Sequence, residues 1–164
     1  MEEIICYIFS NPLKQKYYDE NIIVFPEERF VCIKQPSENL NFKKSIKEKY
    51  KFKNYELNQM NLWSLVKEES MLLLDIEFSH SVDQQDKTEL INLVRKKEGI
   101  RELQAFFVEE TEIEAVAFVY KKVSYRLNKF GILTFTQGNL ELKKYILIPP
   151  ILRALGIHVR REKS

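Results

Sequence analysis

The sequence predicts an α+β protein, with a small N-terminal mixed sheet with helices and a second, C-terminal unit. Three observations support this class. Residues 3–9 form a continuous apolar run, as in a strand that is buried on both faces. Apolar residues recur at steps of three and four between residues 111 and 131, which is typical of an amphipathic helix. Segments of high β propensity follow, at 132–136 and 140–147. The expected units are 1–70 and 71–164.

The N-terminal unit is expected to begin with the strand over 3–9 and to continue as a hairpin. Two β-rich segments, 21–25 and 29–34, flank Pro26, and a proline between such segments favours a turn. Apolar residues then recur at helical spacing. They predict one helix with Phe42, Ile46 and Tyr50, and a second with Leu57, Met60 and Trp63.

The C-terminal unit is expected to open with a half-buried strand over 71–80, because apolar and polar residues alternate there. Asp86 is the expected N-cap of a helix that ends at Gly99. The segment 100–108 fits either a short helix or a strand, since its apolar residues also alternate.

A long helix is predicted from Thr111 to Gly131. Thr111 and Glu114 have the spacing of a capping box, and Gly131 stands where a left-handed C-cap needs no Cβ. Acidic residues open the segment and basic residues close it, which matches the helix dipole. The predicted apolar stripe is Ile113, Val116, Tyr120, Val123, Leu127 and Phe130.

After Gly131, the β-rich segments 132–136 and 140–147 are separated by 137–139, which predicts a second hairpin. Two prolines then end the strand and precede a short helix over 151–155, followed by a basic tail.

Charge is distributed unevenly along the chain, although the net charge is only +2. Residues 71–120 carry five basic and 11 acidic side chains, whereas residues 121–164 carry ten basic and two acidic ones. Such asymmetry predicts a charged face, and the basic last quarter favours an anionic partner.

Taken in order, the helix from Asp86, the segment 100–108, the Thr111 helix and the hairpin resemble a winged helix-turn-helix domain. The stretches VSYRLNKFGIL and YILI carry most of the likeness, which covers 86–147. The resemblance implies that the third helix and the hairpin contact DNA or RNA. A ferredoxin-like fold stays open as the alternative. It would consist of strand 72–78, helix 86–98 and paired strands 103–108 and 114–120.

The acidic first turn of the Thr111 helix would repel phosphates, so the expected contacts are the basic residues beyond it. They are Lys121, Lys122, Arg126, Lys129, Lys143, Lys144, Arg160 and Arg161. We therefore expect a non-catalytic nucleic-acid-associated accessory factor that uses the basic half of the helix and the hairpin.

A second basic patch lies in residues 42–55, where lysines alternate with aromatic residues. Lysines beside exposed aromatics suit a single-stranded backbone, but Phe42, Ile46 and Tyr50 share one helical stripe and favour a core role for the rings. The lysines are Lys43, Lys44, Lys47, Lys49, Lys51 and Lys53.

Two other functions stay open. The acidic front and basic back of the Thr111 helix suit a protein partner or self-association within a larger complex. Asp75 and Glu77 on one face of a strand, near His80, suit a metal-dependent nuclease, although acidic strand faces are common. We expect no catalytic residue, metal or cofactor.

The cellular location is predicted from the cysteines and the N-terminus. Cys6 and Cys32 lie in apolar runs, which favours buried thiols over a disulfide. The chain begins with acidic residues, and its first apolar run is too short for a signal peptide or a membrane span. These features predict a cytoplasmic protein with no membrane partner.

Overall fold

The computed structural model describes residues 3–10, 22–24, 30–34, 41–54, 56–96, 105, 108–109, 111–136, 151 and 153–154. In chain order its elements are β1 (Glu3–Ser10), β2 (Ile22–Val24), β3 (Phe30–Lys34), α1 (Phe42–Tyr50), β4 (Lys53–Asn54), α2 (Gln59–Val66), β5 (Leu72–Phe78), α3 (Gln84–Lys96), β6 (Ile113–Tyr120), β7 (Val123–Asn128) and β8 (Ile132–Thr136). The α+β class is confirmed. The predicted strands at 3–9 and 71–80, the hairpin of β2 and β3, and the helices at α1, α2 and α3 are also confirmed.

The described strands form an eight-stranded sheet in the order β2-β3-β1-β8-β7-β6-β5, and β4 pairs with β1. All pairings among them are antiparallel, so the expectation of a mixed sheet is wrong. Short turns join β6 to β7 and β7 to β8, and such reversing connections give antiparallel neighbours. β1 pairs with β8 through Cys6 and Leu133, so strands from 1–70 and from 71–164 share the sheet.

The core lies on the face of the sheet that α2 and α3 contact. Val116 and Phe118 of β6 stand opposite Leu127 and Tyr125 of β7, and all four are buried. Elsewhere the same cluster contains Ile8, Leu62, Trp63, Leu65, Val66, Ile76, Leu90, Val94, Leu133, Phe135, Ile151 and Ala154. Residues from both ends of the chain therefore pack into one hydrophobic core.

The long helix predicted from Thr111 to Gly131 is wrong, because this segment forms β6, a two-residue turn and β7. Side chains alternate between the two faces of a strand, and a two-residue turn changes which residue numbers face inward. The inward positions Val116, Tyr120, Val123 and Leu127 consequently follow steps of four, three and four, which imitates a helical stripe. The third helix that the winged-helix resemblance implies is thus two strands.

The predicted caps also take other roles. Thr111 precedes β6 and is buried beside the residues that follow β5. Its hydroxyl accepts a hydrogen bond from the backbone N–H of His80 at 3.1 Å. The N-cap of α3 is Asp83, not Asp86. Its carboxylate accepts hydrogen bonds from the backbone N–H groups of Gln85 and Asp86, at 2.8 and 3.3 Å.

A β-bulge shifts the register of β5 between Leu73 and Asp75. The extra residue, Leu74, is exposed, whereas Leu73 and Ile76 are buried on the core face. The bulge therefore changes which positions face the core: Met71 and Leu73 are buried before it, and Ile76 is buried after it.

The hairpin predicted from 132–136 and 140–147 cannot use β8 as its first strand. β7 pairs with one side of β8 through Leu133, and β1 pairs with the other side over 132–136. Both edges of this strand are thus occupied. The second segment lies outside the described residues.

The turn between β6 and β7 is strained. Lys121 and Lys122 have φ angles of 47° and 66°, the left-handed conformation that glycine and asparagine tolerate best. We expect the variant Lys121→Asn/Lys122→Gly to gain about 1 kcal/mol in the free energy of unfolding, measured by urea denaturation. The control Lys121→Ala/Lys122→Ala keeps both Cβ atoms and should not gain. An equal gain in stability in both variants would show that loss of the two positive charges, and not relief of backbone strain, causes the effect.

Candidate nucleic-acid interface

The predicted contact residues on the β6–β7 hairpin have different environments. Lys121 and Lys122 form its tip and are exposed. The ammonium of Lys121 lies 5.6 Å from the centroid of the Tyr120 ring. The strained tip therefore presents two adjacent positive charges to solvent.

Arg126 lies on the sheet face opposite the core, where its charge is balanced. Its Nε donates a hydrogen bond to Oε2 of Glu77 at 2.6 Å. The two residues are on β7 and β5, and the intervening strand β6 carries the small side chains of Ala115 and Ala117 there. Both charged side chains are about half exposed, so the pair adds at most about 1 kcal/mol to stability. Its main effect is to reduce the positive potential of this face.

Lys129, just beyond β7, is also paired. Its Nζ donates a hydrogen bond to Oε1 of Glu114 at 2.9 Å, and its backbone N–H donates to the Glu114 carbonyl at 2.9 Å. The side-chain hydrogen bond raises the pKa of Lys129 above its ordinary value of 10.5. The ammonium therefore stays charged at neutral pH and neutralises this carboxylate.

The hairpin does not gather its basic residues into one cluster. The six residues of β7 separate the Lys121–Lys122 tip from Lys129 by about 20 Å. Arg126 lies between them and is paired with Glu77. The other residues of the predicted set, Lys143, Lys144, Arg160 and Arg161, lie outside the described residues.

The second predicted patch has a higher density of lysines. Six lysines and one acidic residue, Glu48, occupy residues 43–53. Among those whose exposure is described, Lys47 is partly buried and four are exposed: Lys44, Lys49, Lys51 and Lys53. We call the segment 43–53 the lysine segment. It covers α1 except for its first residue and extends to Lys53, the first residue of β4.

The described aromatic rings of the lysine segment point to the protein interior. Phe52 is 3 % exposed and Tyr50 is partly buried, with their ring centroids 5.7 Å apart. The Phe52 ring is therefore not available as a stacking surface.

The lysine segment lies next to the turn between β7 and β8. Along β1, Ile8 donates its backbone N–H to the Gly131 carbonyl at 2.9 Å, and the next two residues pair with Asn54 and Lys53. One strand residue spans about 3.3 Å, so the backbones of Gly131 and Lys53 are separated by roughly 7 Å along the strand. The Lys53 end of the lysine segment and this turn are therefore neighbours along β1.

Sequence reasoning missed Phe130 at this turn. The helical spacing predicts that its ring belongs to a buried apolar stripe, yet its side chain is 58 % exposed. The run from Asn128 to Gly131 contains the signal that would have found it. Asparagine and glycine are turn residues, and here Asn128 closes the turn while Gly131 has a φ of 78°.

The carboxylates considered for a nuclease are both ion-paired. Asp75 contacts Lys87 at 2.9 Å, and Glu77 contacts Arg126. His80 is exposed at the end of β5. Within the described residues, no group of three or more histidine, cysteine, aspartate or glutamate side chains is arranged to hold a metal ion.

The described helices include none with the length and apolarity needed to cross a membrane.

Comparison of the chain with models of protein families, with curated proteins and with solved structures gives no match. We therefore base the function on the chain's own residues.

Proposed function

We propose that this protein is a non-catalytic nucleic-acid-associated factor that binds through the lysine segment. One observation carries the proposal, which is the set of exposed lysines on α1, at Lys51 and on β4 in a segment, 43–53, whose sequence contains one acidic residue, Glu48. Lysines that contact phosphates release condensed counterions, and this release drives binding without base specificity. The buried Phe52 ring anchors the segment to the core, so the lysines project from a folded surface.

The hairpin residues of the sequence-based hypothesis take a secondary place in this proposal. Arg126 and Lys129 are already neutralised by carboxylates of the same chain. The Lys121–Lys122 tip is exposed but lies at the opposite end of β7 from the lysine segment. It would provide a separate contact on a longer nucleic acid.

An interaction subunit remains the second candidate, supported by the exposed apolar side chains of Leu72 and Leu74 on β5. However, α3 already contacts the outer edge of this strand. Arg95 donates a hydrogen bond from Nε to the Leu73 carbonyl at 2.9 Å, and Lys87 pairs with Asp75. The edge is therefore a poor template for an added strand, and nucleic-acid binding is the better supported function.

Salt dependence of binding tests the proposal. We expect the protein to bind a fluorescein-labelled (dT)15 at low salt. With about four phosphate contacts, the logarithm of the binding constant should fall against the logarithm of salt concentration with a slope of about −3. The variant Lys44→Gln/Lys49→Gln should weaken binding and reduce the steepness of this slope by about 1.4, since two contacts are lost. Fluorescence anisotropy between about 20 and 300 mM KCl, a range over which the Debye length shortens, measures both quantities.

The matched control is Lys67→Gln/Lys96→Gln, which removes two exposed lysines, the C-cap of α2 and the last residue of α3. It changes the net charge equally and should leave the slope near that of the wild type. Equal effects of the two double variants would show that binding follows net charge and not the lysine segment. Failure of the wild type to bind at low salt would refute the proposal.

A further inference from the structure

Phe130 stands out among the described side chains because it is an aromatic residue that is mostly exposed. Its exposed fraction is 58 %, whereas Phe118, Tyr125 and Phe135 are buried in the core. A large ring in water costs free energy that burial would recover. An exposed ring on a rigid turn therefore suggests a contact surface.

The turn that carries Phe130 is held by hydrogen bonds on both sides. The side-chain oxygen of Asn128 accepts from the backbone N–H groups of Phe130 and Ile132, at 3.0 and 3.1 Å. The backbone N–H of Gly131 donates to the Asn128 carbonyl at 3.1 Å, and the Lys129 carbonyl accepts from Leu57 at 3.0 Å. The ring is thus presented on a pre-organised platform, and a rigid platform loses little conformational entropy on binding.

One lysine lies beside the ring, and its charge is paired with a carboxylate. Lys129 Nζ lies 5.3 Å from the ring centroid, where its bond to Glu114 fixes it. The lysine segment adjoins the turn through the pairing of β4 with β1. An exposed aromatic face on a turn that neighbours Lys53, the end of the lysine segment, matches an anionic chain with flat bases better than it matches an apolar peptide.

We infer that Phe130 is a stacking platform for a base of single-stranded DNA or RNA whose phosphates contact the lysine segment. The inference rests on the proposed function and adds the class of nucleic acid. Bases of a single strand are free to stack on a side chain, whereas bases inside a duplex are already stacked on each other. Phe130 should therefore contribute to single-strand affinity and not to duplex affinity.

Binding of labelled (dT)15, (U)15 and a 15-base-pair duplex to the variant Phe130→Ala tests this inference. We expect single-strand affinity to fall at least about fivefold, with duplex affinity within about twofold of the wild type. Phe130→Trp should retain single-strand affinity because it retains an aromatic face. Its fluorescence should be quenched by (dT)15.

The fluorescence of the tryptophan introduced by Phe130→Trp can be distinguished from that of the native tryptophan and has a control. The chain has one tryptophan, Trp63, which is 4 % exposed and should not respond to the ligand. Leu72→Trp places an exposed tryptophan on β5, away from the proposed platform, and should show no quenching. An unfolding midpoint of Phe130→Ala close to that of the wild type will confirm that this variant is folded.

The outcomes separate the inference from the proposed function. If Phe130→Ala binds single strands like the wild type while Lys44→Gln/Lys49→Gln binds weakly, the inference is wrong and the proposed function stands. Phe130 would then be assigned to a contact with a protein instead of a base. Equal losses for single strands and duplex would also overturn base stacking. If the wild type binds none of the three oligonucleotides, the proposed function itself fails.

Discussion

The Phe118→Ala variant is expected to lose about 3–5 kcal/mol of its free energy of unfolding. Phe118 is 1 % exposed at the centre of β6, with its ring stacked on Tyr125 at a centroid distance of 5.5 Å. Tyr125 in turn contacts Phe135 at 5.3 Å. Removal of the first ring leaves a cavity that neighbouring strands of the sheet cannot fill, because their hydrogen bonds fix their spacing.

Urea denaturation followed by Trp63 fluorescence measures this loss, since the tryptophan is buried in the same core. The matched control is Phe130→Ala, the same substitution at an exposed position. It should change stability by less than about 1 kcal/mol. A loss of similar size in both variants would contradict the assignment of Phe118 to the core and of Phe130 to the surface.

The Gln59→Ala variant is expected to lose about 2–4 kcal/mol, although the residue is partly exposed and polar. Its side-chain amide pairs with both backbone groups of Ile113. Nε2 donates to the Ile113 carbonyl at 3.0 Å, and the Ile113 N–H donates to Oε1 at 2.7 Å. Ile113 is fully buried. Without the amide, a buried donor and a buried acceptor lose their partner, and each costs about 1–3 kcal/mol.

The control for this substitution is Gln85→Ala, because Gln85 is exposed on the first turn of α3. We expect its free energy of unfolding to stay within about 0.5 kcal/mol of the wild type. Chemical denaturation of both variants gives the comparison. A loss below about 0.5 kcal/mol for Gln59→Ala would mean that water replaces the amide and that this link between α2 and β6 is dispensable.

The N-terminal half of the fold was predictable from local patterns. The strand β1 coincides with the apolar run at 3–9. The β2–β3 hairpin coincides with the β-rich segments that flank Pro26. The helix α1 appears where apolar residues follow helical spacing from Phe42 to Tyr50. In these segments the local propensity and the tertiary contacts favour the same conformation.

The β6–β7 hairpin was not predictable from spacing alone. Its inward residues fall at steps of three and four, and its turn residues, Lys121 and Lys122, carry no glycine or asparagine signal. Phe118 and Tyr125 were the distinguishing residues. A helix would place these large rings off the apolar stripe, whereas paired strands place them in the core beside Val116 and Leu127.

The basic residues of the candidate site were visible in the sequence, but their availability was not. Arg126 is paired with Glu77, 49 residues earlier, and Lys129 with Glu114, 15 residues earlier. Strand pairing across β6 brings the first pair together, and the hairpin brings the second. The lysine segment has fewer acidic neighbours in sequence, with Glu48 as the one acidic residue within 43–53.

The sequence by itself determined the α+β class, the positions of most strands and helices, and the concentration of lysines in residues 43–53. These features depend on side-chain periodicity and charge over short stretches of chain. Only the tertiary structure decided that β1 pairs with β8 and that Phe130 is exposed beside the lysine segment. Both depend on contacts between residues distant in sequence, because backbone hydrogen bonds between strands select partners that local patterns do not specify.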